Sequence, residues 1–231
     1  MGIISSRHNA LVKRIRAAIR EHADEIAIEG PKAVSDALAA GWRPIAVIAR
    51  GVDVSNDVFD ALAETRSPQN TIGLFERPRA NAESILARRD TIAIALDAVQ
   101  DPGNVGTIVR LAAAFDAAGV LLLPGCADPF SPKAIRASAG AILNVAVASL
   151  DALPSDARVF ATAMAGAAID PPSRDAILVF GNEGAGVSHA ILATATKLAI
   201  PMTGRVESLN VASSAAILLA RSFVLRNGTI A

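Results

Sequence analysis

From residue 91 onward, short apolar runs alternate with segments of helical periodicity, and this alternation constrains the fold more than any other feature of the chain. Each run is almost wholly apolar, so it predicts a strand that is buried on both faces of a sheet. We predict strands at 91–97, 119–123, 143–147, 158–162, 176–180 and 197–201. Helices are predicted at 104–117, 132–139, 187–193 and 208–226. The predicted fold class is α/β, with a mainly parallel sheet and flanking helices.

Residues 1–76 predict a separate and smaller α/β domain. Its helices are expected at 8–20, 32–40 and 55–64, and its strands at 25–30, 45–49 and 71–75. Residues 77–90 are polar and include Pro78, so they are expected to form a linker with at most a turn or two of helix. The second domain then occupies residues 91–231.

Composition limits the class of protein. With 52% hydrophobic and 19% charged residues, the chain predicts a compact protein rather than a disordered one. Its 22 Lys and Arg residues balance 22 Asp and Glu residues, so any contact with nucleic acid must come from local patches. The segment 7–20 is such a patch, because it contains several basic residues and no acidic one.

Cys126 is the only cysteine, which excludes an intramolecular disulfide, and no Cys or His cluster has the spacing of metal ligands. The amino terminus lacks the pattern of a signal peptide, and apolar runs such as 92–96 are too short to span a bilayer. These features predict a soluble, cytoplasmic protein without a metal and without a membrane segment.

Ligands of parallel α/β sheets bind beyond the carboxyl ends of the strands, so the loops after residues 97, 123, 180 and 201 are the places to search. The first loop leads into the helix of LDAVQDPGNVGTIVRLAAAFDAAG. Asn104 is expected to cap this helix, and Arg110 interrupts its small and apolar residues. The pattern alone fits a capped helix with a surface arginine equally well.

Two later segments are also rich in small and polar residues. FGNEGAGVS places three glycines around Asn182 and Glu183, which allows a ligand to approach the backbone closely. It matches neither the dinucleotide pattern nor the phosphate-binding loop, and alone it fits an ordinary glycine-rich turn. IPMTGRVESLNVASSAAILLARS ends a strand and opens a helix, with Ser208 expected as its cap and Asn210 two residues later.

In this order and spacing, the three segments resemble the motifs of the SpoU/TrmH branch of SPOUT methyltransferases. The first matches N-x-G-x-x-x-R at Asn104, Gly106 and Arg110. The second resembles G-x-E-G-x-G at Gly181, Glu183, Gly184 and Gly186. The third is similar to I-P-M-x-G-x-x-x-S-L-N-V at 200–211. HNALVKRIR and AIEGPKAVSDALAAG resemble the ribosomal-protein-L30e-like domain that often precedes these enzymes.

The resemblance implies a carboxyl-terminal parallel sheet with a deep trefoil knot, after an RNA substrate-binding domain at 1–76. It implies methyl transfer from S-adenosylmethionine to a ribose 2′-hydroxyl of guanosine or another nucleoside in RNA. An amino-terminal domain of this type favours ribosomal over transfer RNA. Two alternatives stay open: a catalytically inactive RNA-binding or ribosome-assembly module of the same fold, and a methyltransferase that acts on a base.

The resemblance also implies roles for individual residues. Arg110 would act as the base or stabilise developing negative charge, while Asn104 would hold this arginine or the substrate. Ser208 and Asn210 would lie near the transferred methyl group, and Glu183 would orient the arginine or its own loop. The cofactor would be bound by Gly181, Asn182, Ile200, Met202 and Leu209, and by Ala163 and Met164 of a loop at 162–166.

The family resemblance further implies a homodimer that packs through the first and last helices of the catalytic domain. The catalytic arginine of such enzymes often comes from the second copy. RNA phosphates would be contacted by basic side chains, with candidates at Arg7, Lys13, Arg14, Lys133, Arg136 and Arg205.

Overall fold

The computed structural model describes residues 2–20, 24–63 and 69–228. The chain divides into two compact units. The first comprises Met1–Pro78 together with Phe130–Pro132, and the second comprises Arg79–Pro129 and Lys133–Ala231. Each unit has its own sheet and its own apolar core, which is the property that defines a domain.

The first unit is built on a three-stranded antiparallel sheet. Its strands lie in the order β1 (Glu25–Glu29), β3 (Thr71–Glu76) and β2 (Pro44–Ala49). Its helices are α1 (Ala10–Arg20), α2 (Pro31–Ala39) and α3 (Asn56–Asp60). Apolar residues recur on one side of α1, and Val12 and Ile15 therefore lie in the core with Phe59 and Leu74.

All six elements predicted for this unit are present. The helix predicted at 55–64 is shorter and ends at Asp60, and residue 64 lies outside the described residues.

The second unit is built on a six-stranded sheet in which every neighbouring pair is parallel. The strand order is β6 (Val147–Ser149), β5 (Val120–Leu122), β4 (Ile92–Asp97), β8 (Ala176–Gly181), β7 (Val159–Ala167) and β9 (Thr196–Leu198). The helices are α4 (Ala82–Leu86), α5 (Pro102–Ala114), α6 (Pro132–Ser138), α7 (His189–Leu192) and α8 (Val211–Asn227). β4 and β8 are buried almost throughout, as their continuous apolar runs predict.

β4 lies where the chain reverses its direction across this sheet. The chain first runs outward through β5 and β6, and it then builds β7, β8 and β9 on the other side of β4. The loops after β4 and β8 are therefore neighbours at the carboxyl edge, where ligands of such sheets bind. α8 follows the edge strand β9 but packs against α5 and β8, so residues 199–210 run back towards the middle of the sheet.

Two of the elements predicted for the second unit differ from the structure. The strand predicted at 143–147 is absent over residues 143–146, because a 3₁₀ helix spans Ala141–Leu143 and β6 begins only at Val147. Residues 162–166 are not a free loop but lie inside β7, where the pairing with β9 shifts in register between Thr162 and Ala167. The other element boundaries differ from the predicted ones by a few residues.

Residues 77–90, expected to be a linker, belong largely to the second unit. The reason is α4, whose Ile85 is buried in the same apolar cluster as Ala93 and Leu121. No helix within the described parts of the chain has both the length and the apolar character that a bilayer crossing requires.

Candidate active site

A chain of hydrogen bonds joins the three motif segments at the carboxyl edge of the second unit's sheet. Asn104 donates from Nδ2 to Glu183 Oε1 at 2.8 Å. Asn210 donates from Nδ2 to Asn104 Oδ1 at 3.1 Å. These contacts span 79 and 106 positions of sequence, and they bring three of the five predicted catalytic residues together.

The start of α5 positions Asn104. Asp101 is the N-cap of this helix and accepts hydrogen bonds from the backbone N–H groups of Gly103 (2.6 Å) and Asn104 (3.1 Å). Pro102 follows it, in the first turn, where proline is favoured. The prediction that Asn104 caps the helix is therefore wrong. Asn104 is the third helical residue, and its amide binds other side chains instead of the helix end.

The loop after β8 is held in shape by Gly181 and Asn182. A Cβ atom at Gly181 would lie 2.2 Å from the carbonyl carbon of Gly186, so only glycine lets the loop close on itself. Asn182 donates from Nδ2 to Ala98 O (2.9 Å) and accepts at Oδ1 from the N–H groups of residues 184–185 (2.9 Å each). The Asn182 side chain therefore ties this loop to the loop after β4.

The start of α8 positions Asn210. Asn210 is the N-cap, and its Oδ1 accepts from the backbone N–H groups of Ala212 (2.9 Å) and Ser213 (3.3 Å). Ser208, the predicted cap, lies outside the helix and is exposed. The prediction that Ser208 caps this helix is wrong, because the N-cap is Asn210, two residues later. The Asn210 side chain both caps α8 and contacts Asn104.

Glu183 is the acceptor at the end of this hydrogen-bonded chain. Besides Asn104, the backbone N–H groups of Gln100 and Asp101 donate to its carboxylate, each at 3.4 Å. Desolvation raises the pKa of Glu183, but the hydrogen bonds from Asn104 and the backbone outweigh it, and the pKa lies below its ordinary value. The carboxylate is therefore ionised at neutral pH and acts as a hydrogen-bond acceptor.

Arg110 does not join this chain of hydrogen bonds. It lies on the exposed side of α5, six residues beyond Asn104, which corresponds to a rise of about 9 Å along the helix. Within the described part of the chain it has no hydrogen bond and no ion pair. Among the described residues, no hydrogen bond joins Asn104 to Arg110 of the same chain, and the Asn104 amide binds Glu183 and Asn210 instead.

The predicted cofactor residues follow three neighbouring strands at the same edge. Residues 163–166 lie in the stretch of β7 where the register shifts, and Gly166 approaches the backbone of Leu198 and Ala199. The backbone of residues 200–209 makes no hydrogen bond to other described residues, so its N–H and C=O groups are open to a ligand. The seven predicted residues lie in β7 (Ala163, Met164), at and just after the end of β8 (Gly181, Asn182) and after β9 (Ile200, Met202, Leu209).

Sequence reasoning missed Asp101, which organises the start of α5. Its Oδ2 also accepts from Lys133 Nζ at 2.7 Å, and this contact with Lys133 lowers the pKa of the Asp101 carboxyl. The signal was present, since Asp-Pro-Gly is a typical opening of a helix. Among the described residues, no group of three or more His, Cys, Asp or Glu side chains could hold a metal ion.

The structure divides the predicted RNA-binding cations into paired and unpaired side chains. Arg14 is paired with Glu25, and Lys133 is paired with Asp101. Arg136 also has an interaction partner. Arg7, Lys13 and Arg205 are exposed and have no ion-pair partner within the described residues.

Known proteins resemble this chain over most of its length. Residues 91–220 match the model of the SpoU rRNA methylase family. The chain is 36% identical to the Bacillus subtilis 23S rRNA (guanosine(2553)-2'-O)-methyltransferase RlmP, over 86% of this chain and 84% of that protein. It is 27% identical to a Streptomyces viridochromogenes 23S rRNA (uridine(2479)-2'-O)-methyltransferase, over 87% of this chain and 83% of that protein. The AdoMet-bound rRNA methyltransferase from Sinorhizobium meliloti has a TM-score of 0.86 to this structure at 30% identity, with 99% of each chain covered.

Proposed function

Because this chain belongs to the SpoU rRNA methylase family, we propose that it transfers a methyl group from S-adenosylmethionine to a ribose 2′-hydroxyl of ribosomal RNA. Both relatives described above are named as 2′-O-methyltransferases of 23S rRNA, and the structural neighbour contains the same methyl donor. The observation that carries the proposal is the hydrogen-bonded chain from Glu183 through Asn104 to Asn210. It unites at one sheet edge the segments that distinguish the family.

The loops after β7, β8 and β9 suit S-adenosylmethionine. An adenine ring needs main-chain donors and acceptors at its edge and apolar groups at its faces. Residues 200–209 supply unpaired main-chain groups, and the exposed side chains of Met164 and Met202 supply apolar surface beside them. We assign the cofactor to Gly181, Asn182, Ile200, Met202 and Leu209, together with Ala163 and Met164.

The reaction requires the ribose oxygen to lose a proton while it gains a methyl group. S-adenosylmethionine would supply an electrophilic methyl on sulfur: one O–C bond forms as the S–C bond breaks, the thioether leaves, and the hydroxyl proton passes to solvent water. Guanidinium groups are very weak proton acceptors, so the role of Arg110 is to position the ribose and its phosphate and to stabilise negative charge on the oxygen. Ser208 and Asn210 line the approach to the methyl group, with Asn104 and Glu183 holding Asn210 in place.

The alternative of an inactive RNA-binding or assembly module is less well supported. The polar side chains that the reaction needs are present, and three of them are hydrogen-bonded into one arrangement. A module without catalysis has no need of this arrangement.

Replacement of Arg110 tests the proposal. The protein and its Arg110→Ala variant are incubated with methyl-labelled S-adenosylmethionine and unmodified 23S rRNA, and the product is hydrolysed in alkali. We expect label in alkali-resistant dinucleotides and a loss of about 100-fold or more in kcat for the variant. Arg174→Ala is the matched control, because Arg174 is also exposed and lies before β8, at the opposite edge of the sheet. Alkali-labile label, or equal rates for both variants, contradicts the proposal.

We propose guanosine as the modified nucleoside. The relative named for guanosine is 36% identical to this chain, and the one named for uridine is 27% identical. Digestion of the labelled RNA to nucleosides separates the two outcomes, because 2′-O-methylguanosine and 2′-O-methyluridine differ in chromatographic mobility.

Three further features of the proposed enzyme follow from the family. We propose a trefoil knot formed by the return of residues 199–210 from the edge strand β9 to α5 and β8, close to the segment 168–175. Contacts of α8 with that segment support this proposal: Arg221 pairs with Asp170, and Ser222 binds Pro172 O. We also propose a ribosomal-protein-like role in RNA binding for the first unit, and a homodimer through α5 and α8.

A further inference from the structure

The exposed side of α1 carries a row of cations. Lys13, Arg16 and Arg20 are spaced by three and four residues, which places them within about 60° of one another around the helix. The row is about 10 Å long at the usual rise per residue. Residues 1–20 contain no Asp or Glu, and the first acidic residue of the chain is Glu21.

These three cations differ from most others of the first unit in having no acidic partner among the residues that the structure describes. Arg14, on another side of the same helix, is paired with Glu25. Elsewhere in the unit, ion pairs between described residues include Lys32–Asp36, Arg43–Glu76 and Arg50–Asp60. Within the described residues, Lys13, Arg16 and Arg20 take part in no ion pair. The sequence analysis named Lys13 and Arg14 as candidates for RNA contact. On the structure, the candidates on this helix become Lys13, Arg16 and Arg20, because Arg14 is paired with Glu25.

The opposite side of α1 argues against a membrane as the partner, because it cannot insert into lipid. An amphipathic basic helix binds lipid by inserting its apolar side. The apolar side of α1 packs in the core of the first unit, where Val12 and Ile15 are fully buried and Ala18 is nearly so. Only the cations and the small residues between them are left to contact another molecule.

We infer that the Lys13–Arg16–Arg20 row is a docking surface for the phosphate backbone of the substrate RNA. One guanidinium group can donate two parallel N–H hydrogen bonds to the oxygens of one phosphate. The helix holds the three cationic side chains at a fixed spacing. Since the net charge of the chain is zero, this row attracts a polyanion locally and not through a field of the whole protein. The inference rests on the proposed function only in naming RNA as the polyanion.

Salt dependence of RNA binding tests the row directly. Each cation that neutralises a phosphate contributes about 0.9 to the slope of log K against log salt for a duplex, and about 0.7 for a single strand. For the triple variant Lys13→Gln/Arg16→Gln/Arg20→Gln and an unmodified 23S rRNA transcript, we expect a slope shallower by about 2–3. The same variant should have a raised KM for RNA and an unchanged kcat, because the row is remote in sequence from the motif segments.

A charge-matched control removes the same number of cations from the same unit. Arg14→Gln/Lys32→Gln/Arg43→Gln neutralises three side chains that are already paired with acids. Its salt slope should stay near that of the unmodified protein. A third variant, Lys13→Arg/Arg16→Lys/Arg20→Lys, keeps the charges and should keep the slope. All the changed side chains are exposed except that of Arg16, which is half-buried, and circular dichroism verifies that each variant is folded.

Each outcome bears on the inference. A shallower slope for the first triple variant alone supports it. Equal slopes for the first triple variant and the control, or a first variant that behaves like the unmodified protein, overturn it. Loss of binding to phosphatidylserine vesicles without any change in RNA binding also overturns it. If the unmodified protein binds RNA with the steeper slope but transfers no methyl group, the proposed function fails while the docking surface stands.

Discussion

At the scale of single residues, the site depends on how two asparagine amides are oriented. Asn210 Oδ1 must face the backbone N–H groups of α8, so its Nδ2 faces Asn104. Asn104 must then present its oxygen to Asn210 and its nitrogen to Glu183. Glu183 accepts and cannot donate while it is ionised. The order of donors and acceptors thus permits one arrangement, which makes Glu183 and Asn104 positioning residues in our proposal.

Glu183 variants test this positioning role. Glu183→Gln keeps an acceptor oxygen but loses the charge, so we expect kcat/KM to fall by roughly 5-fold, and Glu183→Ala should lose considerably more. The pKa of Glu183 lies below its ordinary value, so no titration near neutral pH belongs to it. The pH profile of kcat/KM between about pH 6 and 9 should therefore be the same for the Gln variant and the unmodified protein. Loss of a limb of that profile in the Gln variant would identify Glu183 as a general base.

At the scale of elements, α5 and α8 begin at the site, and caps determine where they begin. Asp101 caps α5, and its backbone N–H donates to Glu183 of the hydrogen-bonded chain. Asn210 caps α8 and is itself a member of that chain. α5 also lies very close to α6, because a Cβ at Gly106 would be 2.2 Å from Ala134 O. The glycine of the first motif is therefore a packing requirement, independent of any ligand.

Replacement of Asp101 should destabilise α5 through its cap. Asp101→Ala is expected to lower the free energy of unfolding by about 1 kcal/mol, and Asp101→Asn, which can still cap, by less. The pKa of Asp101 in the folded protein is lowered chiefly by Lys133. The ionised carboxylate therefore contributes fully to the free energy of unfolding above the ordinary aspartate pKa of about 3.9. This contribution is lost as the pH falls through the lower pKa of the folded state. The contribution is small because the pair is half exposed.

Urea unfolding of the Asp101 variants measures both the loss of the helix cap and the loss of the ion pair with Lys133. The stability difference between the unmodified protein and Asp101→Asn should narrow as the pH is lowered from 7 to about 3. A difference that does not depend on pH would show that the ion pair with Lys133 contributes nothing.

At the scale of the whole molecule, the proposed dimer explains two otherwise unconnected features. Arg110 has no partner within the described chain, although it is exposed on α5. α8 exposes Ile217, Val224 and Leu225 at spacings that place them on one side of the helix. A second copy packed on α5 and α8 would cover these apolar side chains and bring one copy's Arg110 near the other copy's site.

Charged substitutions on α8 test the dimer. Ile217→Asp/Leu225→Asp is expected to convert the protein from a dimer to a monomer in sedimentation velocity, because it places charges in an apolar interface. Methyl transfer should fall with it if Arg110 acts on the second copy. Val52→Asp is the control, since Val52 is exposed in the first unit. Sedimentation of the unmodified protein as a monomer would contradict the dimer.

Much of the fold could be predicted because its signals are local. Continuous apolar runs predicted β4 and β8, and helical spacing predicted α1. The apolar run at 143–147 was misread, since a buried 3₁₀ helix and a buried strand have the same composition. The three motif segments and the class of enzyme were also identifiable, because they rest on residue types at fixed spacings.

Only the tertiary structure decided how the site is arranged. Which side chain caps a helix depends on where the chain turns, and so Asp101 and Asn210 are caps while Asn104 and Ser208 are not. The contacts of Asn104 join segments that are 79 and 106 positions apart, and no local pattern encodes such pairs. The same holds for charge. The sequence places five cations at 7–20, but in the structure Glu25 pairs with Arg14, while Lys13, Arg16 and Arg20 have no ion pair with any described residue. Residue identity determined the available chemistry, and chain topology decided which groups meet.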